Sequence, residues 1–198
     1  MGSKKRLYPS VLLAVLTVMF VFVLSGTARS QERNNTTIKI KNFGQMDDRF
    51  FRGAQPKEQD YKQLADLGIN TVIDLRQDPE SYEKPAVEAL GMHYINIPMS
   101  DSTYPLTAQV EQFLKLVDDP STGKFYVHCA GGRHRTGVMG AVYRFNHYNW
   151  NFDQVYAEMK QYDFYTRWGH GDLKKFVQDY ATSYQHNPAV SAQTSVKK

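Results

Sequence analysis

The chain has a single cysteine, Cys129, among 198 residues. One cysteine excludes an intramolecular disulfide, and it leaves that thiol with no neighbouring thiol to trap it. There is no internal repeat. Metal-ligand spacing is absent too: His147, His170 and His186 have no acidic partners at suitable intervals, so neither a metal nor any other cofactor is expected. A one-signed charge excess is also missing. Of 24 Lys and Arg, three lie in residues 1–28, which leaves 21 against 20 Asp and Glu in the remainder. The sequence pI near 9.0 therefore belongs largely to the N-terminus, and nothing supports nucleic-acid binding.

That N-terminus reads as a secretory signal. Lys4-Lys5-Arg6 is a positive opening, Val11–Leu24 is apolar except for Thr17, and Gly26 and Ala28 place small residues at −3 and −1 of a cut after Ala28. The apolar run is short for a membrane-spanning helix. No cysteine lies near the cut, so lipid attachment is not supported. The expectation is an exported protein, periplasmic or secreted; the alternative is a membrane anchor over residues 7–24, with membrane contact only if the signal stays uncleaved.

The remaining residues suffice for one domain with its own core, read as a monomer. Residues 29–37 are a polar lead-in, residues 38–185 the domain, and residues 186–198 a polar, disordered tail. Strands are expected at Ile38–Phe43, Arg49–Phe51, Thr71–Leu75, His93–Ile97 and Lys124–His128. Helices are expected from Pro56 to Leu67, Glu80–Leu90, Thr107–Val117, Thr136–Asn146, Phe152–Gln161 and Asp172–Tyr184. Strands alternating with helices predict an α/β fold, a central mostly parallel sheet flanked by helices.

The chemistry concentrates in His128-Cys-Ala-Gly-Gly-Arg-His-Arg-Thr-Gly137. An apolar strand runs in and a helix runs out, with Val138, Val142 and Phe145 on one helical face and Gly137 and Gly140 allowing close packing. Glycines between them let the backbone N–H groups of Ala130, Gly131, Gly132, Arg133 and His134 curl around one anion. The helix N-terminus adds positive potential there. Arg135 closes the ring with a fork that grips two oxygens. Cys129 sits at the base, where the same potential favours its thiolate. This is a phosphate cradle with a nucleophile beneath it; the bland alternative is an ordinary turn around a buried thiol.

The stretch His128–Gly137 resembles the signature of the cysteine-dependent tyrosine and dual-specificity phosphatases. Phe51-Arg-Gly-Ala-Gln-Pro56 and Leu67–Arg76 resemble the small atypical dual-specificity members. Arsenate reductases need further cysteines, sulfurtransferase loops lack the Arg-Thr-Gly ending, and low-molecular-weight phosphatases carry their loop near the N-terminus. The resemblance implies a dual-specificity-like fold and a phospho-cysteine intermediate.

A phosphate ester also needs a proton for its leaving oxygen. Asp101, in the loop Ile97–Pro105, is the candidate acid, at a place comparable to that of the relatives; otherwise it forms a turn or caps the next helix. Asp118, Asp119 and Asp163 are held in reserve. Thr136 is expected to donate to the thiolate, to cap the helix, or both. His128 is expected to orient the loop as structural support. Tyr104 walls the pocket or packs, and Asp74 and Arg76 read as structural. Arg133 and His134 add charge suited to several phosphates, unless Arg133 turns to an acidic side chain. The substrate classes are phosphotyrosine-type monoesters, ranked first, inositol polyphosphates such as phytate, and phosphoinositides. A phosphate-binding module without turnover is the non-enzyme alternative.

Overall fold

Five strands and six α-helices form the described residues 38–185 of the computed structural model. In chain order they are β1 (Gly44–Gln45), β2 (Phe50–Ala54), α1 (Tyr61–Asp66), β3 (Ile69–Asp74), α2 (Glu83–Ala89) and β4 (His93–Asn96). There follow α3 (Thr107–Asp118), β5 (Lys124–Cys129), α4 (His134–Tyr148), α5 (Phe152–Gln161) and α6 (Gly171–Gln185). The expected signal, lead-in and tail (1–28, 29–37, 186–198) lie outside the described residues. Among those described, no helix is long and apolar enough to cross a membrane.

The sheet order is β1-β2-β5-β3-β4, parallel except for the β1 edge. The central strand β5 is rich in aromatic and β-branched residues, as a strand buried on both faces should be. Its side chains alternate. Phe125, Val127 and Cys129 enter the core shared with α3, α4, α5 and α6. Tyr126 enters the smaller core shared with α1 and α2, and by the two-residue period His128 faces that side too. Registers Ala54↔Cys129 and Asp74↔His128 bring the carboxyl ends of β2, β5 and β3 level. Phe50, Phe113 and Ile73 are wholly buried in the larger core, and each such side chain stabilises by about 1.5–3 kcal/mol.

Three expected elements are redrawn. Ile38–Phe43 is not a strand: Asn42 takes a left-handed φ of 54°, which no strand accommodates, and pairing with β2 falls to Gly44–Gln45. The helix after Pro56 is shorter than expected, because a 3-10 turn at Glu58–Asp60 precedes α1. The helix after the loop starts earlier, at His134. It is not one-faced either, since every residue from Thr136 to Phe145 is buried. Gly140 packs with Met46 3.2 Å from where a Cβ would sit. Thr136 lies inside α4 rather than at its cap, which is Arg133.

Candidate active site

The loop between β5 and α4 is held open by bonds to its outside. The carbonyl of Ala130 accepts from the backbone N–H of Gln55 (3.3 Å). That of Gly131 accepts from Asn42 Nδ2 (2.8 Å). That of Gly132 accepts from Arg52 Nη2 (2.7 Å). With these oxygens tied outward, the N–H groups are free to face the hollow above Cys129. Gly132 has φ 64°, and a Cβ there would fall on the Gly53 carbonyl carbon and within 2.6 Å of Ala54 N. Only glycine fits both demands.

Cys129 is buried at the floor. Burial alone pushes its thiol up. The Thr136 hydroxyl, the Arg135 charge and the N–H groups of Thr136 and Arg133 outweigh it, so the thiol lies below its ordinary range. The buried Thr136 Oγ1 has no hydrogen-bond partner besides the sulfur among the described residues. Arg135 is half-buried at the rim, with Nη1 on the Met99 carbonyl at 3.3 Å. An anion above the sulfur would therefore meet a ring of N–H donors, a helix N-terminus and a guanidinium fork.

The Met99 contact brings the loop after β4 to the rim, and Asp101 rides on it, exposed. The Asp101 carbonyl accepts from His170 Nδ1 at 2.7 Å. The reserve acids are placed elsewhere. Asp118 pairs with His147 at 3.2 Å, and Asp119 caps the turn that precedes β5, at the far end of that strand from the thiol. Asp163 lies 3.8 Å from Arg133 Nε. Tyr104 packs: its hydroxyl donates to Asp179 (2.6 Å) and its ring meets Phe176 edge-on.

Charge inside the loop departs from the expectation at His134, whereas Arg133 takes the alternative of turning to an acidic side chain. His134 lies between rings of Phe164, Tyr165 and His170. Burial, then the neighbouring His170, brings its pKa down to about 4, so at neutral pH it is an uncharged imidazole. Arg133 turns outward, toward Asp163 and over the Tyr165 ring. It lines a groove of about 420 Å³ with Asp163, Phe164, Tyr165, Arg167 and the exposed Trp168.

His128 works differently from the expectation as well. Its ring nitrogens lie against Glu83 Oε1 (2.6 Å) and Asp74 Oδ1 (3.8 Å), all wholly buried, rather than on the loop. Burial disfavours charge here, but the Glu83 contact prevails and holds His128 up. Glu83 is held down, against its own burial, by His128, Gln55 and Tyr61. Burial raises Asp74, which accepts from Arg76 N–H and the Tyr94 hydroxyl. Ligand atoms of Asp74, Glu83 and His128 lie within 4.8 Å of one another, with His128 Nε2 facing Glu83 Oε1 at 2.6 Å as an ion pair and Asp74 beside it.

Sequence reading missed Asn42, Arg52, Gln55, Glu83 and His170. Arg52 is buried with its guanidinium 3.9 Å from the Tyr162 ring centroid. Burial brings its pKa down to about 10, still charged at neutral pH. An arginine inside the apolar strand Phe50–Ala54 was the available signal, since buried arginines need a dedicated acceptor.

A family model described as DSP-PTPase phosphatase fused to NAD+ kinase matches residues 27–175. A Mycosarcoma maydis protein provisionally named tyrosine-protein phosphatase OCA1 is 28% identical over 126 residues, 61% of this chain and 79% of its own. Inositol diphosphatase DSP5 of Arabidopsis thaliana is 25% identical over 163 residues, 74% of this chain and 78% of its own. The crystal structure of P. aeruginosa TpbA shares the fold at TM-score 0.61 and 21% identity, covering 70% of this chain and 84% of that one. A cysteine-to-serine form of TpbA has been solved in complex with pTyr.

Proposed function

The chain belongs to the DSP-PTPase phosphatases, the family described as fused to NAD+ kinase, and is a cysteine-dependent phosphatase; on that premise we propose that it hydrolyses phosphotyrosine-type monoesters through a phospho-cysteine on Cys129. The cradle carries this reading: a thiol held below its ordinary range lies beneath N–H donors whose carbonyls are tied outward. A pure anion binder has no need of the thiol.

In the first step the Cys129 thiolate attacks phosphorus, the ester P–O bond breaks, and the leaving oxygen takes the proton of the Asp101 carboxyl group. Arg135 and the loop N–H groups hold the equatorial oxygens as charge develops. In the second step Asp101, now a carboxylate, takes a proton from water as that water attacks phosphorus. The S–P bond breaks, Thr136 donates to the departing thiolate, and inorganic phosphate leaves.

A second reading, an inositol polyphosphate substrate, is favoured by the groove beside the cradle, where Arg133 and Arg167 flank Tyr165. Guanidinium groups at that position suit phosphates beyond the one cleaved. The name of the Arabidopsis relative supports the same reading. Comparing kcat/KM for phosphotyrosyl peptides, phytate and phosphoinositides decides between them. The peptide is expected to lead, and phytate exceeding it would install the second reading. Cys129→Ser is expected to abolish turnover of all three, and retained activity would remove the phospho-cysteine step. The signal-like residues 1–28 support action outside the cytosol.

A further inference from the structure

We propose that His170 is the positioning residue that straps the Asp101 loop over the cradle, a role resting on the reading of Asp101 as general acid.

The loop from Ile97 to Pro105 has no regular secondary structure, and the Asp101 carboxylate makes no hydrogen bond among the described residues. Its place at the rim of the cradle must come from elsewhere. Among the described residues, four side chains beyond the loop hold it. Gln109 donates to the Pro98 carbonyl (2.5 Å) and Asp179 takes the Tyr104 hydroxyl (2.6 Å), one at each end. Arg135 holds the Met99 carbonyl, at 3.3 Å. Its fork is also the group that closes on the phosphoryl oxygens, so substrate competes for that bond. Of these four, only His170 reaches the residue that carries the carboxyl group, at 2.7 Å from the Asp101 carbonyl.

His170 is itself aimed. Its ring stacks on His134, centroids 3.6 Å apart and planes 18° from parallel. His134 begins α4 and belongs to the cradle, with Nε2 3.1 Å from the Tyr165 carbonyl. The chain of contacts thus runs from cradle to His170 to the acid's own backbone. The turn that delivers His170 takes φ 58° at Trp168 and φ 90° at Gly169. A left-handed tryptophan is strained, and Trp168 is 79% exposed, so its own burial does not offset that strain. The turn does place the His170 ring between His134 and Asp101. Because a carbonyl is the acceptor, His170 Nδ1 must carry a proton, as it does in one neutral tautomer and in the imidazolium. Its neighbours there are His134, Tyr165 and Asp101.

The test compares kcat/KM for phenyl phosphate and an activated nitrophenyl phosphate in His170→Phe, His170→Asn, Asp101→Asn and the double variant His170→Phe with Asp101→Asn. Phenylalanine keeps a ring on His134 and removes the donor; asparagine restores an N–H near the Nδ1 position. His170→Phe is expected to slow phenyl phosphate about threefold to tenfold, the effect of one hydrogen bond, and to slow the activated ester much less. His170→Asn is expected to recover most of the loss, and His170→Phe to cost nothing further in the Asp101→Asn background. Equal losses for both esters, or an additive loss in the double variant, would overturn the strap. If Asp101→Asn alone slows both esters equally, the acid reading fails and the strap with it. If Asp101→Asn discriminates between esters and His170→Phe does not, only the strap fails.

Discussion

Thr136 shows how far a residue's type and its use can diverge. A threonine opening a helix suggests a cap, yet it lies within α4 and its hydroxyl serves the buried sulfur. A hydrogen bond to a charged group contributes about 1.5–3 kcal/mol, and about 1.4 kcal/mol corresponds to one pKa unit. Thr136→Val is therefore expected to move the midpoint of the pH dependence of Cys129 alkylation by iodoacetamide upward by roughly one to two units. The acidic limb of the kcat/KM profile is expected to move with it, because the thiolate is the reacting form. An unmoved midpoint would assign the depression to Arg135 and the backbone alone. Gly132 is constrained on two counts, backbone angle and contact with Gly53. Gly132→Ala is expected to cut kcat by about a hundredfold or more, the effect of misplacing the cradle by about 1 Å. Near-normal turnover in that variant would show that the loop tolerates a different path.

At the scale of elements, β5 separates two tasks by alternation. Cys129 faces the α3–α6 side, and His128 faces α1 and α2, where it is paired with Glu83. Breaking a buried ion pair by removing one partner costs about 3–5 kcal/mol, and urea unfolding of Glu83→Gln is expected to show a loss of that order. The pH dependence follows from the two directions. His128 is held above its ordinary value, so its stabilisation is complete below about pH 6.5 and is lost as pH rises through the raised value. Glu83 is held below its ordinary value, so its stabilisation is present above about pH 4.5 and is lost as pH falls through the lowered one. The deficit of Glu83→Gln should therefore be largest near pH 5–6 and shrink on the alkaline side. A deficit constant across pH would mean that the pair is held together as neutral groups.

At the scale of the whole molecule, the parallel order β2-β5-β3 places three carboxyl ends side by side, and the cradle forms where they end. For the full chain, expression in an exporting host is expected to yield a mature protein lacking residues 1–28, read as its intact mass in the soluble exported fraction. A membrane-bound protein of unchanged mass would indicate the anchor instead. The sequence by itself determined what depends on neighbours along the chain. The cradle lies within ten consecutive residues, and the spacing of Val110, Phe113 and Val117 marks α3. The alternation of apolar runs marks the parallel sheet, and α5 begins and ends where its pattern does. Only the tertiary structure decided which residues hold that cradle in shape and what charge its side chains carry. Asn42 and Arg52 reach the loop from 89 and 80 residues away, and no local pattern encodes such a pairing. His134 is neutral because Phe164, Tyr165 and His170 enclose it, and Arg133 turns aside because Asp163 lies within reach. A side chain's type follows from its codon, but its charge and its partners follow from the water it has lost and the groups that folding has put in that water's place.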